Sequence, residues 1–225
     1  MGKGPVEIIL MQFQKKAIIF DLDGVLCSTD KYHYMAWKQL TGRLGICFDE
    51  NINGRLRGVS RMDSLEIILG RSSGNYTTEE KQNFAEEKNS AYRRLLENIS
   101  PEDLSDEVRH TLDELRHRGY LLAVGSSSRN TGYLLHRLGL ADFFDAVADG
   151  TEISHSKPDP EVFLLAARKL KAEPEECAVV EDARAGITAA KKAGMTALAL
   201  GEDAKGCGIE DYDLTSFSDL LDIFP

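Results

Sequence analysis

The chain has 225 residues and a formal net charge of −10 at pH 7, from 27 Lys and Arg against 37 Asp and Glu. This length suits one large domain or one domain with a sizeable insertion. The negative charge argues against a nucleic acid or an anionic membrane as a partner held by bulk electrostatics, and no apolar run reaches the roughly 18 residues of a membrane span. The four cysteines are scattered without a CxxC spacing, so we interpret them as reduced thiols and expect a cytoplasmic protein.

The first ten residues differ in character from those that follow. They contain Gly-Lys-Gly-Pro and precede a second methionine, Met11, from which the first strand can start. We expect residues 1–10 to be a leader or a tag, and we see no signal peptide in the chain. The fold prediction therefore begins at Met11.

The first predicted element is a buried strand over the apolar run Ala17–Phe20. Asp21 and Asp23 follow at once, and then Gly24. Carboxylates two residues apart normally point to opposite faces of a strand, but Gly24 indicates that the chain is already turning, so both can reach one site. The pair can bind a hard cation such as Mg²⁺, and one aspartate can attack phosphorus. Ligands bind at this end of the strands in open α/β sheets.

A helical insertion is predicted after this strand. The next clear strand begins only at about Tyr120, whereas a plain β-α-β unit needs on the order of 30 residues. Apolar residues recur at helical spacing across the surplus segment. We therefore predict a small helical cap domain over residues 28–100, inserted into a core of residues 11–27 and 101–225. The helical spacing is carried by Tyr34, Trp37, Leu40, Leu44, Leu65, Ile68, Leu69, Phe84, Tyr92, Leu95 and Leu96.

Beyond residue 100 the chain alternates between apolar runs and helical segments. Ser105 can cap a helix that stops at Gly119, and Pro160 suits the first turn of another helix. Strands that alternate with helices of about ten residues indicate an α/β fold with a doubly wound parallel sheet. The predicted strands are 120–124, 144–147, 177–180 and 196–200, and the predicted helices are 105–118, 131–138, 160–170 and 185–193.

Polar side chains follow four of the predicted strands. Because the carboxyl ends of parallel strands lie along one edge of the sheet, we expect these clusters to meet. They would supply carboxylates for Mg²⁺, a carboxylate nucleophile, and a hydroxyl and a lysine for phosphate oxygens. Such groups suit phosphoryl transfer, in which positioning and charge neutralisation do most of the catalysis. The clusters are Asp21 with Asp23, then Ser126, then Lys157, and then Glu181 with Asp182.

This order of motifs resembles that of the haloacid dehalogenase superfamily of aspartyl phosphotransferases, from about Met11 to the end of the chain. The resemblance implies a Rossmann-like core with a cap between the first two motifs. It implies that Asp21 forms an aspartyl-phosphate and that Asp23 is the general acid/base. It also implies that Mg²⁺ is held by Asp21, the Asp23 backbone carbonyl and Asp182, with Glu181 adjacent. The transferring phosphate would be held by Ser126 and Lys157.

In that superfamily the cap decides the substrate, and stretches 21–37, 57–61, 88–89 and 126–130 resemble the β-phosphoglucomutase family. That family interconverts β-D-glucose 1-phosphate and glucose 6-phosphate through β-glucose 1,6-bisphosphate. By this likeness Thr29 and His33 help to position Asp23, and Arg61 grips the phosphate that is not being transferred. The implied substrate contacts also include Gly58, Val59, Ser60, Lys88, Ser128 and Asn130, with Trp37 beside them in the cap core.

Three positions depart from the pattern of that family. Ser28 replaces a common acidic residue, Gly125-Ser126-Ser127 differs from the usual Ala-Ser-Ala, and Ala183 stands where a serine is frequent. These departures bear on the fine positioning of the hinge between cap and core more than on the reaction.

Other interpretations of the motifs stay open. A phosphatase of the same superfamily, acting on a small sugar phosphate or phosphoglycolate, would share the residues of the core. A phospho-accepting receiver domain also uses an acidic cluster, a hydroxyl and a lysine, but it is about half this length, has no cap and carries its aspartate on a middle strand. We expect a monomeric enzyme whose partners are small sugar phosphates.

Overall fold

A parallel sheet of six strands forms the centre of the molecule, whose computed structural model describes residues 15–225. The strands are β1 (Ala17–Phe20), β2 (Leu121–Gly125), β3 (Ala146–Ala148), β4 (Cys177–Glu181), β5 (Thr196–Leu200) and β6 (Tyr212–Leu214). Their order is β3-β2-β1-β4-β5-β6, and every neighbouring pair is parallel. This is a doubly wound α/β sheet, so the predicted fold class is confirmed. The predicted leader at residues 1–10 and the start at Met11 lie outside the described residues.

The central strand, β1, sets the geometry of the sheet edge. Its residues are fully buried, and Phe20 pairs with Val124 on one side and with Val180 on the other. The backbone N–H of Asp21 still donates to the carbonyl of Val180 at 3.0 Å. Asp21 therefore leaves the sheet beside Glu181, and the register alone brings the first and last predicted clusters together.

Five α-helices lie between β1 and β2, and we call the first four the cap helices: α1 (Asp30–Leu44), α2 (Glu50–Gly54), α3 (Arg61–Leu69) and α4 (Thr78–Leu96). They enclose a hydrophobic cluster of their own, which includes Trp37, Leu40 and Leu65. The end of α4 packs instead into the main cluster through Tyr92 and Leu96. The prediction of helices in this segment is confirmed, whereas the domain boundaries at residues 28 and 100 stay a prediction.

The other helices cover the two faces of the sheet. They are α5 (Asp106–His117), α6 (Thr131–Arg137), α7 (Glu161–Leu170), α8 (Arg184–Lys192) and α9 (Leu220–Ile223). Ser105 caps α5 as predicted, because its Oγ accepts from the N–H of Val108 at 3.2 Å. Side chains of α5 and α6 pack on one face of the sheet, and those of α7 and α8 pack on the other. Within residues 15–225 no helix has the length and apolar character that a bilayer span requires.

Candidate active site

A cleft of about 1360 Å³ opens at the carboxyl ends of the strands, and residues of both the sheet edge and the cap helices line it. Of the predicted site residues, those that line it are Asp21, Asp23, Thr29, His33, Trp37, Gly58, Val59, Ser60, Arg61, Lys88, Ser126, Ser128, Asn130, Lys157 and Asp182. Glu181 is fully buried and lies behind the cleft wall. The structure thus brings the residues of all four sequence clusters to one place.

Lys157 joins Asp21 to Glu181. Its Nζ donates to Oδ1 of Asp21 and, at 2.6 Å, to Oε1 of Glu181, and the Lys157 side chain is fully buried. Burial by itself lowers the pKa of Lys157, but the two carboxylates raise that pKa above its ordinary value. The ammonium is therefore charged. Because it binds Oδ1 of Asp21, the oxygen left for attack or for another ligand is Oδ2.

Glu181 is held as the second partner of this lysine. Its Oε2 accepts from the N–H of Ala183 at 2.8 Å. Gly186 gives it room, since a Cβ built at Gly186 would lie 1.8 Å from Glu181 Oε1. Sequence reasoning placed Glu181 beside a metal, and the structure gives both of its oxygens protein partners. Its observed contacts are those of a group that orients Lys157.

Asp182 adds a further carboxyl to the site, beside those of Asp21 and Glu181. Burial raises the pKa of its carboxyl, and the neighbouring carboxylates of Glu181 and Asp21 raise that pKa further. Gly24 lets the turn after β1 approach this carboxyl, because a Cβ at Gly24 would lie 2.0 Å from Asp182 Oδ2. The backbone at Gly24 also has a φ of +87°, which L side chains rarely adopt. Oxygen donors crowded against one lysine fit a hard divalent cation.

Asp23 lies within hydrogen-bond reach of the residue at which the cap helices begin. The Thr29 hydroxyl donates to Asp23 Oδ1, and the Tyr92 hydroxyl donates to Thr29 Oγ1 at 3.1 Å. Burial raises the pKa of Asp23 to about 6, although the bond from Thr29 opposes that shift. A carboxyl with this pKa can give and take a proton near neutral pH, as a general acid/base must.

His33 and Lys88 face the other oxygen of Asp23. Lys88 Nζ lies 3.0 Å from His33 Nδ1, and His33 Nε2 lies 3.9 Å from Asp23 Oδ2. Burial lowers the pKa of His33, and the charge of Lys88 lowers it further, so the ring is neutral. When Lys88 is protonated it can only donate, so Nδ1 then accepts and Nε2 carries the proton. Lys88 itself is buried over the rings of Trp37 and Tyr92, at 4.8 and 4.6 Å.

Arg61 contributes positive charge from the cap side. Ser60 caps α3 by accepting from the N–H of Asp63 at 3.2 Å, which fixes the start of the helix where Arg61 lies. The Arg61 side chain is 20% exposed, and its nearest carboxylate, that of Glu86, is 3.7 Å away. Burial lowers the pKa of Arg61, and the nearby charge of Arg129 also lowers it. Two guanidinium groups facing one region suit a phosphate.

The loop after β2, residues 126–130, forms part of the cleft wall. Ser126 Oγ accepts from the N–H of Ser128, and Ser128 Oγ accepts from the N–H of Asn130, each at 3.2 Å. Asn130 Nδ2 donates to Oδ1 of Asn89 on α4 at 2.9 Å. This loop therefore holds three predicted phosphate contacts in one turn and touches a cap helix directly.

Sequence reasoning assigned no role to three residues that the structure places at the site. Tyr92 was interpreted only as a helical core position, and its hydroxyl reaches Thr29. Asn89 and Arg129 lie next to predicted contacts, and both line the cleft. Their positions next to Lys88 and Asn130 in the sequence were the available signal for a role at the site. The sequence does not show in which direction their side chains point.

The comparisons with known proteins agree with this geometry. Residues 15–194 match the model of the haloacid dehalogenase-like hydrolase family. The β-phosphoglucomutase of Bacillus subtilis is 44% identical over 189 residues, which cover 83% of this chain and 84% of that protein. A crystal structure of β-phosphoglucomutase from Clostridium difficile has a TM-score of 0.87 and 34% identity, covering 93% of this chain and 97% of that one.

Phosphatases are also among the relatives. The fructose-1-phosphate phosphatase of Escherichia coli is 34% identical, covering 80% of this chain and 94% of that protein. The phosphorylated carbohydrates phosphatase of Thermotoga maritima is 31% identical, covering 80% and 82%. The mutase relative is therefore more similar in sequence to this chain than either phosphatase.

Proposed function

The chain belongs to the haloacid dehalogenase-like hydrolase family, and on that premise we propose that it interconverts β-D-glucose 1-phosphate and glucose 6-phosphate. The observation that carries the proposal is a cleft with two poles. Asp21 and Asp23 lie at one pole. Arg61, Arg129 and Asn130 offer anion-binding groups from the cap helices and from the loop after β2. A mutase has to bind a second phosphate while the first is transferred, and this second group of donors suits it.

The proposed reaction begins at Asp21. Its Oδ2 attacks the phosphorus of one phosphate group of β-glucose 1,6-bisphosphate, so that the aspartyl-phosphate forms while the P–O bond to the sugar breaks. Asp23 gives its proton to the leaving sugar oxygen. In the return step the free hydroxyl of a bound sugar monophosphate attacks the phosphorus of the aspartyl-phosphate, the bond from that phosphorus to Asp21 Oδ2 breaks, and Asp23 takes the hydroxyl proton. Lys157 donates to Oδ1 of Asp21, which favours Oδ2 as the attacking oxygen.

We propose that Mg²⁺ is the cofactor, held by carboxylates of Asp21 and Asp182 and by the backbone carbonyl of Asp23. Bound there, the ion would neutralise charge on the transferring phosphoryl group. The surplus of carboxylates around Asp182 and the close approach at Gly24 support this assignment. Glu181 would act through Lys157, because both of its oxygens already accept hydrogen bonds.

A phosphatase activity is the second candidate function, because two relatives of this chain are phosphatases. It would use the same pole around Asp21 but would let water attack the aspartyl-phosphate. A mutase has to keep water away until a sugar arrives. The contact of Asn89 with Asn130 and the hydrogen bond from Ser156 Oγ to Asp63 Oδ2, at 3.0 Å, join cap helices to the core on the cleft rim and support the mutase.

A coupled dehydrogenase assay on both anomers of glucose 1-phosphate tests the proposal. With Mg²⁺ and a trace of bisphosphate, we expect the β-anomer to yield glucose 6-phosphate and the α-anomer to be left unchanged. Asp21→Asn should abolish the conversion. Equal turnover of the two anomers, or none of either, would contradict the proposal.

A monomeric state and a cytoplasmic location complete the proposal. All four cysteines are free thiols, which suits a reducing compartment. The proposed substrates are small sugar phosphates, in keeping with a cleft that combines cations and hydroxyl groups.

A further inference from the structure

Tyr92 stands at the end of a buried row of hydroxyl groups that leads to Asp23. The Tyr92 residue is 1% exposed and Thr29 is fully buried, so bulk water does not compete for their hydroxyls. Tyr92 comes from α4, Thr29 from the residue before α1, and Asp23 from the turn after β1. The row therefore crosses from a cap helix to the catalytic turn.

The direction of the protons in this row follows from the donor inventory. A threonine hydroxyl has a single proton to donate. If Thr29 spent that proton on Tyr92, the carboxylate of Asp23 would lose its donor. Because the Tyr92 hydroxyl donates to Thr29 Oγ1 at 3.1 Å, the proton of Thr29 is directed to Asp23 Oδ1. Hydrogen bonds in such a chain also strengthen one another.

We propose that Tyr92 is a positioning residue of the phosphoryl transfer, which fixes the rotamer of the Thr29 hydroxyl and through it the orientation of the Asp23 carboxyl. The inference rests on the proposed function, in which Asp23 protonates the leaving sugar oxygen. Tyr92 forms no bond to the transferring phosphate in this assignment. Its effect is confined to the placement of the acid/base.

Tyr92→Phe isolates the hydroxyl. The ring remains, and with it the contact to His33 at 4.1 Å between centroids and the place of Lys88 over the ring. The matched control is Tyr133→Phe, because Tyr133 also joins the core to α4, through Arg93 at 4.8 Å, but has no contact with Thr29. We expect Tyr92→Phe to lower kcat about tenfold and to change KM less than about twofold, with Tyr133→Phe close to wild type.

The dependence on leaving group separates positioning from a general structural role. A sugar oxygen needs a proton as it leaves, whereas p-nitrophenolate does not. In single-turnover experiments we expect Tyr92→Phe to slow phosphoryl transfer from a sugar phosphate about tenfold and to leave the release of p-nitrophenolate from p-nitrophenyl phosphate within about twofold of wild type. Equal slowing of both substrates, or of neither, would overturn the inference.

Two variants of Thr29 keep the test decisive. Thr29→Ser retains the middle hydroxyl and should retain most of the activity. In a Thr29→Val background, Tyr92→Phe should have no further effect, because Tyr92 acts only through Thr29, whereas additive losses would contradict the inference. Each variant is compared with wild type on the loss of phosphate from the substrate, whether the acceptor is a sugar or water, so the test holds for a mutase and for a phosphatase. Failure of the proposed function would appear separately, as a wild-type protein that does not isomerise the β-anomer.

Discussion

Single side chains at the cleft are held in charge states that their surroundings dictate. Lys157 stays charged because two carboxylates bind it, while Lys88 is buried over aromatic rings with no acidic side chain in contact. Burial lowers the pKa of Lys88 to about 7, and the charge of Arg61 contributes. Two lysines in one cleft thus have opposite shifts, because two carboxylates bind Lys157 directly, whereas burial of Lys88 outweighs the attraction of Asp23.

The lowered pKa of Lys88 predicts that this residue decreases the free energy of unfolding by an amount that depends on pH. The pKa of Lys88 is about 7 when folded and 10.5 as its ordinary value. Between these values the unfolded chain binds a proton that the folded protein does not, so the Lys88 contribution to stability rises with pH across that window. Below about pH 7 the folded protein carries the full penalty of a buried charge. Lys88→Met should therefore stabilise the protein by about 2 kcal/mol more at pH 6 than at pH 9.

Urea unfolding at the two pH values measures this difference. The control is Lys81→Met, since Lys81 lies on the same helix but forms an exposed ion pair with Glu66 at 2.8 Å. A gain from Lys88→Met that does not change with pH would contradict the assignment. Lys88→Met should also lower activity, because Nδ1 of His33 loses its hydrogen-bond partner and the imidazole ring is no longer held beside Asp23.

A substitution of Arg61 distinguishes the role of the second phosphate site from that of the site around Asp21. Arg61→Ala should lower isomerisation by about a hundredfold, because a partly buried guanidinium that binds a phosphate is worth about 3 kcal/mol. Phosphate release from a simple monophosphate should fall less than about threefold. Assays of both reactions on one preparation give the ratio, with the exposed Arg71→Ala as control. Equal loss of both reactions would count against Arg61 as the clamp of the second phosphate.

At the scale of elements, the turn after β1 is constrained by its close approach to Asp182. Gly24 has φ of +87°, and an added Cβ would lie 2.0 Å from Asp182 Oδ2. Gly24→Ala should therefore displace the Asp182 carboxyl, reduce activity and raise the Mg²⁺ concentration needed for half-maximal rate. Gly119→Ala is the matched control, because Gly119 has φ of +85° and no atom within 4 Å of an added Cβ.

Both glycine variants should lose about 1 to 2 kcal/mol of stability from the left-handed backbone. Only Gly24→Ala should change the Mg²⁺ titration of activity. An identical Mg²⁺ requirement in wild type and Gly24→Ala would show that the approach of this turn to Asp182 has no part in cation binding.

The elements that carry the site were predictable because their signals are local. Apolar runs of four or five residues predicted β1, β2, β4 and β5, and the polar residues at the ends of β1, β2 and β4 predicted the cleft edge. By contrast, β6 (Tyr212–Leu214) has only three residues with Asp213 in the middle, pairs only with β5, and was not predicted. The short helix α2 (Glu50–Gly54) was also missed, since five residues are too few to show helical periodicity.

The individual hydrogen bonds between distant residues were beyond prediction from the sequence. The Tyr92 hydroxyl meets Thr29 across 63 positions of the chain, and Lys157 meets Asp21 across 136. Strand order placed Lys157 and Asp21 at the same sheet edge, but it did not show that Glu181 would take the other side of the lysine. Helical periodicity marked Tyr92 as buried and said nothing of where its hydroxyl points.

At the scale of the whole molecule, the cap helices and the sheet edge form one reaction chamber. The end of α4 shares the main hydrophobic cluster, Asn89 contacts Asn130, and Asp63 contacts Ser156. Residues on both sides of these contacts line the cleft. Contacts that hold the cap helices to the core in this way favour transfer of the phosphoryl group to a bound sugar over transfer to water.

The fate of the phosphoryl group tests this account most directly. Phosphorus NMR of β-glucose 1-phosphate with the protein, Mg²⁺ and a trace of bisphosphate resolves glucose 6-phosphate and inorganic phosphate in the same sample. We predict that glucose 6-phosphate accumulates as the main product while inorganic phosphate stays a minor one. If inorganic phosphate appeared faster than glucose 6-phosphate, the protein would be a phosphatase and the central claim would be wrong.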